Sequence, residues 1–137
     1  MKILFDTNVY ISFIRNRSHS QELQRHGTVK YLSAVVLMEL WAGVRTKKAK
    51  KLINQLQRPY ASSGRIVTPG VINYIAMGKF FADLPNRYDS LVKTAGFVND
   101  LQIAFAALSI GALLYTEDKD HFRIIKRRIP SLKVEYV

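Results

Sequence analysis

Lys2-Ile3-Leu4-Phe5-Asp6-Thr7-Asn8 is the stretch on which the fold turns. A short apolar run of this kind suits a buried strand, and the three polar residues behind it readily cap a helix. Val9, Ile11, Phe13 and Ile14 then follow at spacings that suit a short helix, which the polar stretch Arg15–Ser20 closes. A strand that runs straight into a helix is the opening of an alternating α/β chain.

The same alternation continues outward. Tyr31-Leu32 suits a second short strand, with Ser33 placed to cap a helix over Ala34–Ala42 that Gly43 terminates. Lys47 to Leu56 carries Ala49, Leu52, Ile53 and Leu56 at helical spacing, with its lysines largely off that stripe. Gly64 to Val67 suits a strand, and Thr68-Pro69 a helix opening with Pro in the first turn, running to about Asp83. A short helix is expected from Asp89 to Thr94, closed by Gly96. The clearest helix is expected to begin at Asn99-Asp100 and end at Gly111. Ala112 to Tyr115, the polar turn Thr116–Asp120, a basic helix over His121–Arg128 and a strand over Leu132–Val134 complete the chain. The expectation is one α/β/α domain over residues 1–137, with a central, mostly parallel sheet flanked by helices. In such sheets ligands collect beyond the carboxyl ends of the strands. Asp6 and Asp118 both stand just past an expected strand end.

Composition narrows the function classes. The chain has 137 residues, enough for one domain, and its 48% hydrophobic content can form a core without covalent staples. It contains no cysteine, which excludes disulfides and thiolate metal sites. The first apolar run is too short for a secretory signal, and no window approaches the ~18 apolar residues of a membrane span. A soluble cytoplasmic protein with no membrane partner is expected. Twenty-one Lys and Arg against ten Asp and Glu give a net charge of +11, a surface that attracts polyanions, nucleic acid above all.

In so basic a chain the few carboxylates stand out. Asp6 could be only a helix cap. Asp100 could also cap its helix, and Asp118 could close an Asx-turn. Glu39 is harder to dismiss, because it interrupts Ala34-Val35-Val36-Leu37-Met38 and Leu40-Trp41-Ala42. A carboxylate in so apolar a helix needs a cation, either an arginine or a metal ion. Taken together, three or four carboxylates at a sheet edge would repel one another without a cation. Mg²⁺, which takes oxygen ligands in octahedral geometry, would resolve that repulsion.

These residues also resemble a known family, the PIN-domain endoribonucleases, and within it the VapC-type toxins of toxin–antitoxin pairs. Ile3-Leu4-Phe5-Asp6-Thr7-Asn8 resembles the first motif of that family. Ser33 to Gly43, with Glu39-Leu40-Trp41-Ala42-Gly43 at its end, is similar to the second. Asn99-Asp100-Leu101-Gln102-Ile103-Ala104 resembles the third, and Thr116-Glu117-Asp118-Lys119-Asp120-His121-Phe122 the last. The resemblance spans essentially the whole chain, with the motifs in order.

It implies a PIN-like fold and Mg²⁺- or Mn²⁺-dependent hydrolysis of RNA by water, leaving 5′-phosphate and 3′-hydroxyl ends. It implies that Asp6, Glu39, Asp100 and Asp118 are the metal-site acids, with Thr116, Thr7 and Asn8 holding them in place. His121 stands where many relatives carry Asp, and Asp120 is a nearby acid that could substitute for Asp118. The partners implied are an RNA substrate, a VapB-like antitoxin and a second copy of the chain. Tyr60, Tyr74, Phe80, Phe81 and Tyr88 include candidates for a partner surface, whereas Tyr10, Phe13, Trp41, Phe97 and Phe105 suit the core.

Basic residues expected to guide RNA are Arg15, Arg17, the cluster containing Arg45, Lys47 and Lys48, and Arg123, Lys126, Arg127 and Arg128 on the last helix. Metal-free cleavage through the 2′-hydroxyl would need histidines as acid and base. Only His19, His26 and His121 are present, and each suits a solvated surface position better. The alternative from another class is a non-catalytic basic RNA-binding domain with the same fold.

Overall fold

Every strand of this protein is short, and all of them pair in parallel. In the computed structural model, which describes residues 1–137, the strands are β1 (Lys2–Phe5), β2 (Val29–Ser33), β3 (Ile66–Val67), β4 (Leu113–Thr116) and β5 (Lys133–Tyr136). They form one sheet in the order β3-β2-β1-β4-β5. β1 lies in the middle, with Ile3 opposite Lys30 on one side and Leu113 on the other. A strand covered on both faces has no reason to alternate, and Ile3, Leu4 and Phe5 are all fully buried.

The chain builds β2 and β3 on one side of β1, then returns to build β4 and β5 on the other. Strand order therefore reverses between β1 and β4. The segments leaving these two strands part from each other, which opens a crevice at their carboxyl ends.

Eight helices flank the sheet. The central one is α7 (Ala95–Ile110), in which Phe97, Leu101, Ile103, Ala104, Phe105, Ala106 and Ala107 are buried. A helix apolar on most sides belongs inside the protein, and α7 packs on β1 and β4 as well as on other helices. Gly111 closes it in the left-handed region at φ 65°, where a side chain would be strained. Between β1 and β4 the Phe5 ring stacks on Tyr115 at 5.4 Å, with Tyr10 edge-on to Phe5 at 5.8 Å.

The expected α/β/α single domain is therefore observed, with differences at several element ends. Helix α7 begins at Ala95, capped by the Thr94 hydroxyl, and not at Asn99-Asp100. Asp100 is thus an interior helical residue, and capping does not account for it. Helix α4 (Lys47–Ser62) continues past Leu56 and through Pro59. Its extra turns are held by Trp41 Nε1 donating to Gln57 Oε1 (2.8 Å) and by the Tyr10–Tyr60 hydroxyl pair (3.1 Å).

Helix α5 (Val71–Asp83) opens after Gly70 and not at Pro69, because the Asn73 side chain folds back to accept from the Gly70 N–H at 2.9 Å. A short helix, α2 (Ser20–Gln24), lies between α1 and β2, where the sequence pattern assigned no element. Thr116 ends β4, one residue beyond the expected strand, and β5 runs on to Tyr136. No single helix is long and apolar enough to cross a membrane.

Candidate metal centre

Asp6 reaches the crevice because β1 ends there. Its backbone N–H still bonds to Tyr115 O in β4 at 2.9 Å, and it caps α1 (Thr7–Asn16) through Thr7 N at 2.7 Å. Capping uses Oδ1. Oδ2 accepts from Thr116 Oγ1 at 2.7 Å and from Asn8 Nδ2 at 3.2 Å, so the side chain is 2% exposed and oriented from three directions. Asp6 is therefore a helix cap, and its position in the crevice is compatible with a site acid as well.

Glu39 arrives on α3 (Ala34–Ala42), whose first turn is set by the buried Ser33 hydroxyl accepting from Val35 N and Val36 N. No arginine meets it. Thr7 Oγ1 donates to its Oε1 at 2.7 Å and Asn99 Nδ2 to its Oε2 at 3.4 Å. Asp100 projects from the second turn of α7. Asp118 caps α8 (Lys119–Arg128) by accepting from His121 N at 3.0 Å, while its own N–H donates to Thr116 Oγ1 at 3.0 Å.

The four acids thus come from β1, α3, α7 and the β4–α8 junction to one place. Their electrostatics reflect the convergence. Burial raises Asp6 from 3.8 to about 6, with repulsion from Glu39 and Asp118 adding to it against the hydrogen bonds from Thr116 and Thr7. Burial also pushes Asp100 up to about 9, reinforced by repulsion from Asp6, Asp118 and Glu39.

Within 4 Å, the ion pairs of the whole chain all involve histidine, so no Lys or Arg neutralises any of these acids. For a protein with a net charge of +11 that is a pointed exclusion. Neutral hydroxyl and amide groups hold Asp6 and Glu39, and the four carboxylates together offer the oxygen donor set a hard divalent cation takes. The residues present fit such an ion.

Three features went unseen in the sequence. His121 is not a solvated histidine: its Nδ1 lies 2.6 Å from Asp100 Oδ2 and 3.3 Å from Asp118 Oδ2. Its spacing of three from Asp118, across a helix start, was the available signal. His19 is likewise held, by Glu117 Oε1 at 2.6 Å, and only His26 is exposed. Asn99, which looked like half of a capping pair, instead steadies Glu39. Asp120 is exposed on the first turn of α8, outside the group that Asp118 joins.

The basic residues divide. Arg15 lines a groove of about 180 Å³ together with Glu39, Ile11, Ile14, Leu40, Val44 and Ile53, so it shares that groove with one of the four acids. Lys47, Lys48, Arg123 and Arg127 are exposed. Lys47 joins Lys50, Lys51 and Arg58 around a wholly polar hollow along α4. Arg17 covers the Phe13 ring at 5.1 Å. Arg45 is turned onto Ala42 O and Val44 O (2.7 and 2.9 Å), and Lys126 onto Pro130 O and Leu132 O, which ties these two into the fold. Phe80, a candidate for a partner surface, is a core residue at 8% exposure.

Comparisons with known proteins bear on the family and the fold. The PIN domain family model matches residues 3–127. VapBC-1 from nontypeable Haemophilus influenzae is similar in fold, with a TM-score of 0.69, 22% identity and coverage of 99% of this chain and 98% of that one. VapBC2 from Rickettsia felis, bound to a DNA fragment from their promoter, has a TM-score of 0.67 at 25% identity, covering 100% and 99%. VapBC from Salmonella typhimurium, also DNA-bound, has 0.65 at 23%, covering 99% and 98%. None of the curated proteins matches the chain.

Proposed function

The chain belongs to the PIN-domain family, and from that premise we propose that it is a divalent-cation-dependent endoribonuclease, the VapC-like toxin of a toxin–antitoxin pair. The observation that carries the reading is the convergence of Asp6, Glu39, Asp100 and Asp118 with no Lys or Arg partner among them. These four would hold Mg²⁺ or Mn²⁺. Such an ion would supply Lewis acidity toward the phosphodiester and lower the pKa of a water molecule; attack of that water on phosphorus with cleavage of the P–O3′ bond, the proton passing to O3′, would give the 5′-phosphate and 3′-hydroxyl ends that the family resemblance implies.

The protein's own groups do the positioning. Thr116 and Asn8 fix Asp6 Oδ2, and Thr7 fixes Glu39 Oε1 while its backbone N–H holds Asp6 Oδ1. One residue thereby sets the distance between two acids. Arg15, on the groove that reaches Glu39, is placed to hold a non-reacting phosphate. The lysines of α4, with Arg123 and Arg127 on α8, supply sequence-independent attraction for RNA.

The similar structures are named for toxin–antitoxin complexes, and two surfaces suit corresponding partners here. The groove between α1, α3 and α4, apolar along Ile11, Leu40, Val44 and Ile53 and acidic at Glu39, suits an antitoxin segment with apolar side chains and a basic group. The first two turns of α5 expose Val71 (79%), Ile72 (82%) and Ile75 (56%), a face suited to a second copy of the chain.

The test is RNA cleavage by wild type and Asp100→Asn, each with and without Mg²⁺. Cleavage should need both the ion and the carboxylate. Activity that survives excess EDTA, or survives Asp100→Asn, would remove this reading. RNA binding by a wild type that never cleaves would favour the non-catalytic alternative.

A further inference from the structure

We propose that His121 donates Nδ1 to the same cation as Asp100 and Asp118, so that the site prefers first-row transition cations to Mg²⁺. The inference rests on the metal-site reading above and adds a nitrogen to an otherwise all-oxygen site.

The first ground is geometric. One ligand atom each from Asp100, Asp118 and His121 lie within 4.8 Å of one another. Two ligands on a single ion at roughly 2.0–2.2 Å can be at most about 4.4 Å apart. Nδ1 is 2.6 Å from Asp100 Oδ2 and 3.3 Å from Asp118 Oδ2, both inside that limit, so the group needs only a slight opening of the shorter separation.

The second ground is rigidity. Asp118 caps α8 by accepting from the His121 N–H, which places both side chains at one helix start. The His121 ring stands edge-on to the fully buried Phe97 ring, 5.3 Å between centroids at 87°. Phe97 lies on α7 one turn before Asp100, so helix α7 sets both the acid and the direction of the imidazole. A ring held in this way presents Nδ1 to the acids at little further entropic cost.

The third ground is chemical. Mg²⁺ takes oxygen ligands and keeps its waters, whereas imidazole nitrogen suits transition cations. A histidine at this point shifts selectivity without removing a carboxylate.

The experiment uses the full chain with Mn²⁺ as probe. Bound ion is read from the loss of the free-ion EPR signal, and nitrogen coordination from ¹⁴N modulation in pulsed EPR. Wild type should show the modulation of a directly bound imidazole. His121→Asn should bind Mn²⁺ without it, and Mg²⁺ should displace Mn²⁺ at about tenfold lower concentration than from wild type. His121→Gln serves as a second variant, and the wild-type spectrum is decisive without either.

Mn²⁺ bound to wild type with no directly coordinated nitrogen would overturn the proposal and leave the carboxylate site standing, with His121 as a hydrogen-bond partner that positions Asp100. Modulation that persists in both variants would overturn it in favour of another histidine. Binding no stronger than that of Asp100→Asn would overturn this proposal and the metal-site reading together.

Discussion

The Thr116 hydroxyl donates to Asp6 Oδ2 over 2.7 Å, joining two residues 110 positions apart at the ends of adjacent strands. The same oxygen accepts from Asp118 N at 3.0 Å, so one buried hydroxyl orients two of the four acids. Thr116→Val keeps the shape and removes both bonds. Because the bond favours ionised Asp6, its loss raises the Asp6 pKa still further. Cation affinity at neutral pH should fall about 10–100-fold, recover partly at higher pH, and be restored by Thr116→Ser. Calorimetric titration with Mn²⁺ checks all three.

Asp100 and Asp6 predict an inverted stability profile for the cation-free protein. Both carboxyls are raised above 3.8, to about 9 and about 6, so the folded chain keeps protons that the unfolded chain has released. Their contribution is fully present below about pH 3.8 and is lost as pH rises through each folded value. In EDTA, Tm should decline across roughly pH 5 to 9, and added Mn²⁺ should raise Tm more at the alkaline end. A flat profile would mean that the acids do not crowd.

Asp100→Asn should separate stability from function. It removes a carboxyl that the folded, cation-free chain must keep protonated at neutral pH while the unfolded chain ionises it, so the variant in EDTA should be more stable by about 1–2 kcal/mol, a rise of roughly 5 °C in Tm. Thermal unfolding measures this, and an unchanged or lower Tm counts against the proposed repulsion.

Ser33→Ala tests how the fold delivers Glu39. The buried hydroxyl caps α3 through Val35 N and Val36 N, and its loss should cost about 1–2 kcal/mol. Urea unfolding should show that loss. Because Glu39 sits on the following turn, cation affinity should weaken as well, although Ser33 touches none of the acids.

Surface residues carry two further expectations. Replacing Lys47, Lys50 and Lys51 by Ala should lower the slope of log affinity for single-stranded RNA against log salt by about 2. Ile72→Asp, at the most exposed apolar position of α5, should shift sedimentation toward the monomer without changing cation affinity. A wild type that is monomeric at high concentration would dispose of the α5 interface.

Much of the architecture was legible because local patterns and global fold agree. Continuous burial in Ile3–Phe5 marks a central parallel strand, and Ser33 and Gly43 bracket α3 where they were expected. The α7 boundary was misplaced because Asn99-Asp100 has the composition of a cap, while the working cap, Thr94, lies farther back before the less distinctive Ala95-Gly96. Pro59 inside α4 was equally opaque, since the tyrosine and tryptophan contacts that hold that turn come from α1 and α3.

What the sequence determined alone is whatever depends on neighbours in the chain: the strand–helix alternation, the basic surface, and the scarcity of acids that made Asp6, Glu39, Asp100 and Asp118 conspicuous. The tertiary structure decided which of those acids lack a basic partner, that Asp118 and not Asp120 faces the others, and that His121 stands among them. Those are distances between residues brought together by the reversal of strand order at β1 and β4. No local propensity encodes such a distance, because it is set by the packing of α7 and α8 against the sheet.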